Sequence, residues 1–273
     1  MLAGIVLYNP EVDRLKANIE SIIYQVDKLI LIENGSADTE YLQDEYFKDI
    51  TVITNSENFG IAKALNQICE YAKCSGYKWA LTLDQDSVCP SNIIAEYKKF
   101  TGLQNVGMLC PVIEDRNVGL ITETDSEPVT EVTLCITSAS LLNIEAWQKV
   151  GGFYEPFFID GVDFDMCMLL AEHGYKIQRV NAVKLIHEVG RSKMVNCMGR
   201  NEVVFNHGPI RCYYMIRNRV LLGKRHSNLL KQLMVVLKRF VLINLYEHNR
   251  FEKNCKGLKG LLHGFIGKYG KLR

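Results

Sequence analysis

The chain holds several polar clusters whose residue types and spacing can do chemistry. Asp84-Gln85-Asp86 follows the apolar run at 79–83. Two carboxylates two positions apart in a turn can hold a hard divalent cation, Mn²⁺ or Mg²⁺, and leave positions open for phosphate oxygens. The same residues also suit a plain turn or helix capping by Asp86 or Ser87. A second acidic group, Asp160, Asp163 and Asp165, follows Phe157-Phe158-Ile159 and opens a helical pattern. Any single Asp there can serve as a cap. Three within six residues exceed what one cap needs, and crowding like charges is costly, so the group reads as a general base or a metal contact.

Three further features are open to two readings each. His187, in Leu185-Ile186-His187-Glu188, would complement Asp86 as a metal ligand, although a lone histidine is more often structural. The segment from Asn58 through Gly60 and Lys63 to Asn66 opens a helix. Its backbone N–H groups and Lys63 can meet phosphate, or it is a glycine turn before an amphipathic helix. Arg211, Arg217 and Arg219 flank Tyr213-Tyr214. They suit bidentate binding of a diphosphate, or a solvated helix face.

Such distant residues need a scaffold that gathers them. Residues 3–8 form an apolar run that reads as a buried strand, ended by Asn9-Pro10. Leu15, Ile19, Ile22 and Val26 then recur at helical spacing. Residues 29–32, 50–53 and 79–83 read as further strands, with a helix striped by Ile61, Leu65, Ile68 and Ala72 before the last of them. A helix near 92–100 and a strand near 106–109 follow. Repeated β-α units predict an α/β fold: a mostly parallel sheet with helices on both faces. Ligands of such sheets bind beyond the C-terminal strand ends. The loops at Tyr8, Glu33, Asn55 to Gly60 and Asp84 all lie at those ends, so four polar loops converge on one rim. Residues 114–128 read as a polar loop and 129–142 as one or two strands. A helix begins near Asp163 and stops at Gly174; after Gly208 the pattern is helical and basic.

Composition bounds the class. The 273 residues are 48% hydrophobic and 23% charged, as in an ordinary globular protein with a sizeable core. The nine cysteines form no CxxC pair and sit mostly in apolar runs, which predicts buried thiols in a reducing cytosol rather than disulfides or a zinc site. No signal peptide or membrane-spanning run is expected. The net charge of +1 hides a split: residues 211–273 hold 15 Lys+Arg against 2 Asp+Glu. A basic region of this kind predicts an anionic partner, membrane phospholipid or nucleic acid. Leu258, Leu261, Leu262, Phe265, Ile266 and Tyr269 form a stripe among lysines, suited to a helix in a membrane interface. Five glycines weaken that helix by about 1 kcal/mol each relative to Ala, so residues 252–273 are expected to order only on a surface. The stripe within 229–245 is expected to pack on the catalytic domain or on a partner subunit in a homo-oligomer.

In order along the chain, the strand ending in Tyr8-Asn9-Pro10, the turn Asn34-Gly35-Ser36, the Asn58-x-Gly60-x-Ala62-x-Ala64-x-Asn66 segment and Asp84-Gln85-Asp86-Ser87 resemble the nucleotide-binding half of family-2 glycosyltransferases with the GT-A fold. Gly151-Gly152-Phe153 and Phe157-Phe158-Ile159-Asp160-x-x-Asp163-x-Asp165 resemble the acceptor half; Arg211-x-Tyr213-Tyr214-x-x-Arg217-Asn218 is similar to a helix of the rhamnosyltransferase branch. Together these motifs cover about residues 3–222. The resemblance implies a GT-A catalytic domain over 1–207, divided into a nucleotide-sugar half at 1–110 and an acceptor half at 111–207, with a basic helical region at 208–273. It implies inverting transfer from a nucleoside diphosphate sugar with the help of a divalent cation. Tyr8, Asn9, Glu33 and Asn34 would line the nucleoside pocket. Asp84 would meet the ribose and the metal, Asp86 would be the direct metal ligand, and His187 would complete the metal site. Asp163 would be the catalytic base, with Asp160 and Asp165 tuning it. Val162 stands where the family commonly has Glu, and Glu33 where it often has Asp.

The rhamnosyltransferase-like features favour dTDP-rhamnose as donor and a lipid-linked polysaccharide as acceptor, with galactofuranose, glucose or galactose as other donors. A cytosolic enzyme at the inner face of the plasma membrane follows, with no nucleic-acid partner, since no RNP-like or zinc-finger pattern occurs. Two other classes fit fragments of the pattern. Leu83-Asp84-Gln85-Asp86-Ser87-Val88 also matches the nucleophile motif of haloacid-dehalogenase-like phosphatases, but three β-α units precede it. A nucleotide- or nucleic-acid-binding module would use the basic tail alone.

Overall fold

The computed structural model describes residues 1–115, 119–120, 126–187, 193–197 and 199–272. The chain opens with β1 (Leu2–Leu7), α1 (Val12–Ile22), β2 (Lys28–Glu33), β3 (Thr51–Thr54), α2 (Ile61–Cys74), β4 (Trp79–Asp84) and α3 (Ile93–Lys98). Then come β5 (Val106–Asp115), β6 (Gly119–Leu120), β7 (Val129–Val132), β8 (Ser140–Asn143), α4 (Ile144–Lys149), α5 (Val162–Glu172) and β9 (Lys176–His187). The hairpin β10 (Lys193–Cys197) and β11 (Arg200–Val204) leads to α6 (Pro209–Arg225), α7 (Leu229–Tyr246) and α8 (Arg250–Phe265).

The main sheet runs β3-β2-β1-β4-β8-β5-β9-β7, with β6 beside β5. Its first four strands are parallel, as the β-α repeats predict. All six residues of β1 are buried, which is why a continuous apolar run rather than an alternating one codes for it. One feature departs from the repeat pattern. β5 does not pair with β4; β8 returns antiparallel between them. Two apolar clusters sandwich the sheet, one under α1 and α3 and one under α2, α4 and α5.

The C-terminal helices are part of this body. Leu221 and Leu222 of α6 join the cluster under α2 and α5. Among the described residues no helix is long and apolar enough to cross a membrane. The expectation that residues 252–273 order only on a surface is overturned. α8 turns Gly257, Gly260 and Gly264 inward, and their missing side chains admit α6. A Cβ at position 260 would stand 2.4 Å from the Tyr213 carbonyl oxygen, and one at 264 would stand 2.7 Å from Val220 Cβ. The glycines trade helix propensity for close packing. Beyond α8, the Gly270 N–H donates to the Pro156 carbonyl at 2.8 Å and the Leu272 N–H to the Tyr214 hydroxyl at 2.7 Å.

Candidate active site

The C-terminal ends of β1, β2 and β4 open into a cavity of about 620 Å³. It is lined by Tyr8, Asn34, Asn58 and Gly60 from the first strand ends, by the turn Asp84, Gln85 and Asp86, and by Asp160, Asp163, Arg211 and Arg219 from later in the chain. Backbone contacts fix the acidic turn. The Asn18 amide donates to the Asp84 carbonyl at 2.7 Å, the Tyr8 N–H to Gln85 Oε1 at 2.8 Å, and the Ser87 N–H to the Asp84 carbonyl at 3.2 Å. An amide chain sets the nucleotide side. Asn55 Nδ2 donates to Asn34 Oδ1 at 3.1 Å, the Phe59 N–H to the same oxygen at 3.2 Å, and Asn58 Oδ1 accepts from the Gly60 N–H at 2.9 Å.

The loop from Phe158 to Gly161 carries Asp160 under backbone strain and leads into α5, which carries Asp163. Phe158, Asp160 and Gly161 have φ of 67°, 64° and 79°, a region that side chains disfavour. At Gly60, φ 91°, a Cβ would stand 2.5 Å from the Phe158 carbonyl oxygen, so only glycine lets the two loops meet. The Ile61 N–H then donates to that oxygen at 2.7 Å.

Several groups that line the cavity have displaced protonation. Burial pushes the Asp163 carboxyl up to about 6, with the nearby Asp160 adding to the rise and Arg219 opposing it. Burial also raises Asp160, against the pull of Arg211, whose Nε lies 3.2 Å from Asp160 Oδ1. The other oxygen, Asp160 Oδ2, is buried and has no hydrogen-bond partner among the described residues. Burial holds His207 down to about 3, helped by the charges of Arg211, Arg239 and Lys253. The neutral ring stacks on Phe205 at 5.6 Å, and both line the cavity.

Several expected residues stand elsewhere. Asp165 is fully buried on the opposite face of α5, since two residues turn a helix by about 200°. It accepts from Arg225 Nε at 2.8 Å and lies 2.8 Å from His226 Nε2, locking α5 to the end of α6. Arg217 is fully buried and donates to the carbonyls of Phe157 at 2.8 Å and Gly270 at 2.6 Å. It therefore holds chain, not diphosphate. Asn66 binds the Phe153 backbone and the Trp147 indole N–H, and Lys63 pairs with Glu155 at 3.4 Å. Neither lines the cavity. Glu33 is buried beside the rim and accepts from the Ser36 N–H at 2.6 Å and the Tyr41 hydroxyl at 2.7 Å. Asn9 accepts from the Ala37 N–H at 2.8 Å and shapes the same turn. β9 ends at His187, and Ile186 bridges Val88 two residues beyond Asp86; the His187 side chain lies outside the described residues.

Reading the sequence alone misses Phe158, Phe205 and His207. The only signal for His207 is a lone His before Gly208-Pro209, a spacing that names no chemistry. Among the described residues no three His, Cys, Asp or Glu side chains form a ready-made metal cage. The donor set still fits a hard cation that shares a diphosphate. Asp84 and Asp86 offer carboxylate oxygens to one open cavity, and the remaining positions fall to phosphate and water.

The sequence model described as Glycosyl transferase family 2 matches residues 3–138. The chain is 28% identical over 289 residues to dTDP-rhamnosyl transferase RfbF of Shigella flexneri, covering 98% of this chain and 96% of that protein. The crystal structure of S. aureus TarS 1-349 in complex with UDP-GlcNAc is similar at a TM-score of 0.64 and 13% identity, covering 98% of this chain and 81% of that one. The crystal structure of GalNAc-T7 with UDP, GalNAc and Mn²⁺ is similar at 0.62 and 16%, covering 82% of this chain and 47% of that one. This chain thus spans about half of GalNAc-T7. Both structural likenesses show the fold, an α/β sheet of the GT-A kind.

Proposed function

From the premise that this chain belongs to glycosyl transferase family 2 through residues 3–138, and is a glycosyltransferase, we propose that it moves L-rhamnose from dTDP-rhamnose to a hydroxyl of a lipid-linked saccharide. The observation that carries this reading is one cavity lined by the Asp84–Asp86 turn together with Asp163 and Arg211, drawn from distant parts of the chain. The full-length similarity to a dTDP-rhamnosyl transferase supports the donor. Galactofuranose or glucose donors are the competing outcomes.

In the proposed reaction, Tyr8, Asn34 and Asn58 hold the nucleoside. A divalent cation, when held by Asp86 and Asp84, supplies positive charge to the departing diphosphate. His187 is proposed as a further ligand. Arg211 faces the same diphosphate with a guanidinium that makes two hydrogen bonds at once. Asp163 takes the proton of the acceptor hydroxyl as its oxygen bonds to the anomeric carbon and the bond to diphosphate breaks. Attack from the face opposite the leaving group inverts the anomeric centre. A carboxyl held near 6 suits that task, because it is ionised at neutral pH yet more basic than a free Asp. Asp160 orients Arg211 through their ion pair. We place the reaction at the inner face of the plasma membrane, where a lipid-linked acceptor lies.

A thermal-shift screen of nucleoside diphosphates and their sugars, with and without Mn²⁺, tests the donor. A ligand at a hundred times its Kd adds about 2.7 kcal/mol to apparent stability. dTDP and dTDP-rhamnose should raise the midpoint most, and Mn²⁺ should enlarge the shift. A larger response to UDP-sugars would reject the rhamnose assignment; no response to any nucleotide would reject the site.

A further inference from the structure

We propose that the outward face of α8 is a docking surface for an anionic lipid bilayer. The inference deepens the membrane-face transfer proposed above and rests on it for its purpose. α8 is amphipathic in an unusual sense: its inner side is glycine and its outer side is aliphatic and aromatic. Gly257, Gly260 and Gly264 lie against α6, with Lys253 and His263 buried beside them. Phe251, Leu258, Leu262 and Ile266 are left 82%, 58%, 59% and 66% exposed, and Phe265 is exposed with them. Positions 251, 258, 262 and 265 recur at helical spacing, so they make one stripe. Single exposed apolar residues are ordinary, but a contiguous stripe marks a contact surface. The packing of α8 cannot account for this stripe, because the packing uses the opposite side of the helix. On α7, Leu230, Met234 and Leu237 are also more than half exposed.

The charge pattern selects the occupant. Lys259 and Lys268 are exposed beside the stripe, and residues 211–273 carry 15 basic residues against 2 acidic ones. Long lysine stems can lie along an apolar surface while their ammonium groups reach lipid phosphates. Each such residue gains from the negative potential of an anionic leaflet. A second copy of the chain fits poorly. A two-fold contact would bring the same basic residues face to face, with few acidic residues in the region to offset them. The chain beyond α8 also ties this face to the cavity rim. Arg217 and Pro156 both bond Gly270, and Lys271 Nζ lies 3.9 Å from Glu57, next to the cavity residue Asn58. A bilayer under α8 would thus lie near the loop that carries Asp160.

Sedimentation with vesicles tests the surface without donor or acceptor, so this proposal and the transfer reading can fail separately. The full chain should sediment with phosphatidylcholine vesicles containing phosphatidylglycerol, and much less with phosphatidylcholine alone. The Leu258→Ser/Leu262→Ser variant should lower the partition coefficient at least about tenfold. Both leucines are exposed, so its melting curve and its nucleotide thermal shift should match those of the parent. Lys259→Glu/Lys268→Glu should weaken binding as well, and most at low salt. Equal sedimentation of parent and variants, or none by the parent, would overturn the proposal. So would a parent dimer, seen by analytical ultracentrifugation, that the leucine variant dissociates without any vesicle binding.

Discussion

Asp163 is held in a setting that opposes its charge, and this gives function and stability opposite interests. The folded carboxyl keeps its proton up to about 6, whereas an ordinary Asp releases it near 3.8. Between those values the folded state binds more protons than the unfolded one, so stability falls as pH rises through the window and the deficit is complete above it. Asp163→Asn removes the deficit. It should gain up to about 3 kcal/mol of stability at about pH 8, with the gain falling away toward pH 4. The same change should lower sugar transfer about 10²–10⁴-fold while donor binding persists. Denaturant titrations at the two pH values and initial rates read both effects; a variant that is inactive and also less stable at high pH would reject the assignment. For the parent, kcat/KM should fall as pH drops through about 6, as the base is protonated. Asp86 makes a different test. Its turn lies at the surface, so Asp86→Ala should leave the melting point nearly unchanged and abolish the Mn²⁺-dependent part of nucleotide affinity in calorimetry. Undiminished Mn²⁺-assisted affinity would remove Asp86 as the ligand. The cavity carboxylates at 84, 86, 160 and 163 were legible in the sequence because they cluster at a strand end or just before and within the first turn of a helix. Asp165, Arg217, Lys63 and Asn66 were not, because a motif's spacing does not say which side of a helix faces the ligand.

The elements around the cavity show how the strained loop is held. Asn218 Nδ2 lies within hydrogen-bond distance of the carbonyls of Phe157, Ile159 and Asp160, at 3.0, 2.7 and 2.6 Å. Arg217 Nε donates to Asn218 Oδ1 at 2.8 Å and so orients that amide. The guanidinium carbon also lies 4.9 Å from the Tyr214 ring centre and 5.4 Å from that of Tyr213. The Arg-x-Tyr-Tyr-x-x-Arg-Asn helix is therefore a clamp on the loop that carries Asp160, with Arg211 alone of Arg211 and Arg217 facing the cavity. Asn218→Ala should cost about 1–3 kcal/mol, since it leaves buried carbonyls unmatched. As a positioning residue it should lower kcat and leave the KM for donor nearly unchanged; a rise in donor KM with normal kcat would contradict the clamp. The glycines of α8 make a sharper case. In an isolated helix Gly→Ala stabilises by about 1 kcal/mol. At position 260 the new methyl would meet the Tyr213 carbonyl at 2.4 Å, so Gly260→Ala should destabilise by about 2 kcal/mol or more. A higher melting point in Gly260→Ala would show that α8 does not pack on α6 in solution. Periodicity found the apolar stripe of α8 but could not reveal its direction, because glycine carries no hydropathy signal yet can line the tightest interface.

At the scale of the molecule, the two regions read from the sequence differ in charge yet share one core. Residues 1–210 hold 29 acidic against 17 basic residues, and residues 211–273 hold the reverse excess. Their junction is crossed by ion pairs that use this complementarity: Arg211 with Asp160, Arg225 with Asp165, and Lys238 with Glu202. The Asp165 pair is the most demanding. Its carboxylate is fully buried, and its partners, the Arg225 guanidinium and the His226 ring, come from the far side of the junction. Without them the folded chain would carry an uncompensated buried charge, a penalty of about 3–5 kcal/mol. Losing α6 would also uncover the apolar cluster that Leu221 and Leu222 complete, and would release the loop clamped by Asn218. Set against a typical total of about 5–15 kcal/mol, these losses leave little to hold the remainder. We therefore propose that residues 1–207 do not form an independent folding unit, even though the family-2 motif region ends well before 207. The intact chain should melt in a single calorimetric transition whose van't Hoff and calorimetric enthalpies agree. A fragment ending at residue 207 should lack a cooperative transition and give no nucleotide-dependent thermal shift. Restoring only α6, with a fragment ending at 228, should recover part of the transition, because Arg217, Asn218, Arg225 and His226 return with it. Two resolved transitions in the full chain, or a cooperatively melting 1–207 fragment that binds nucleotide, would show that the junction is a boundary between two domains.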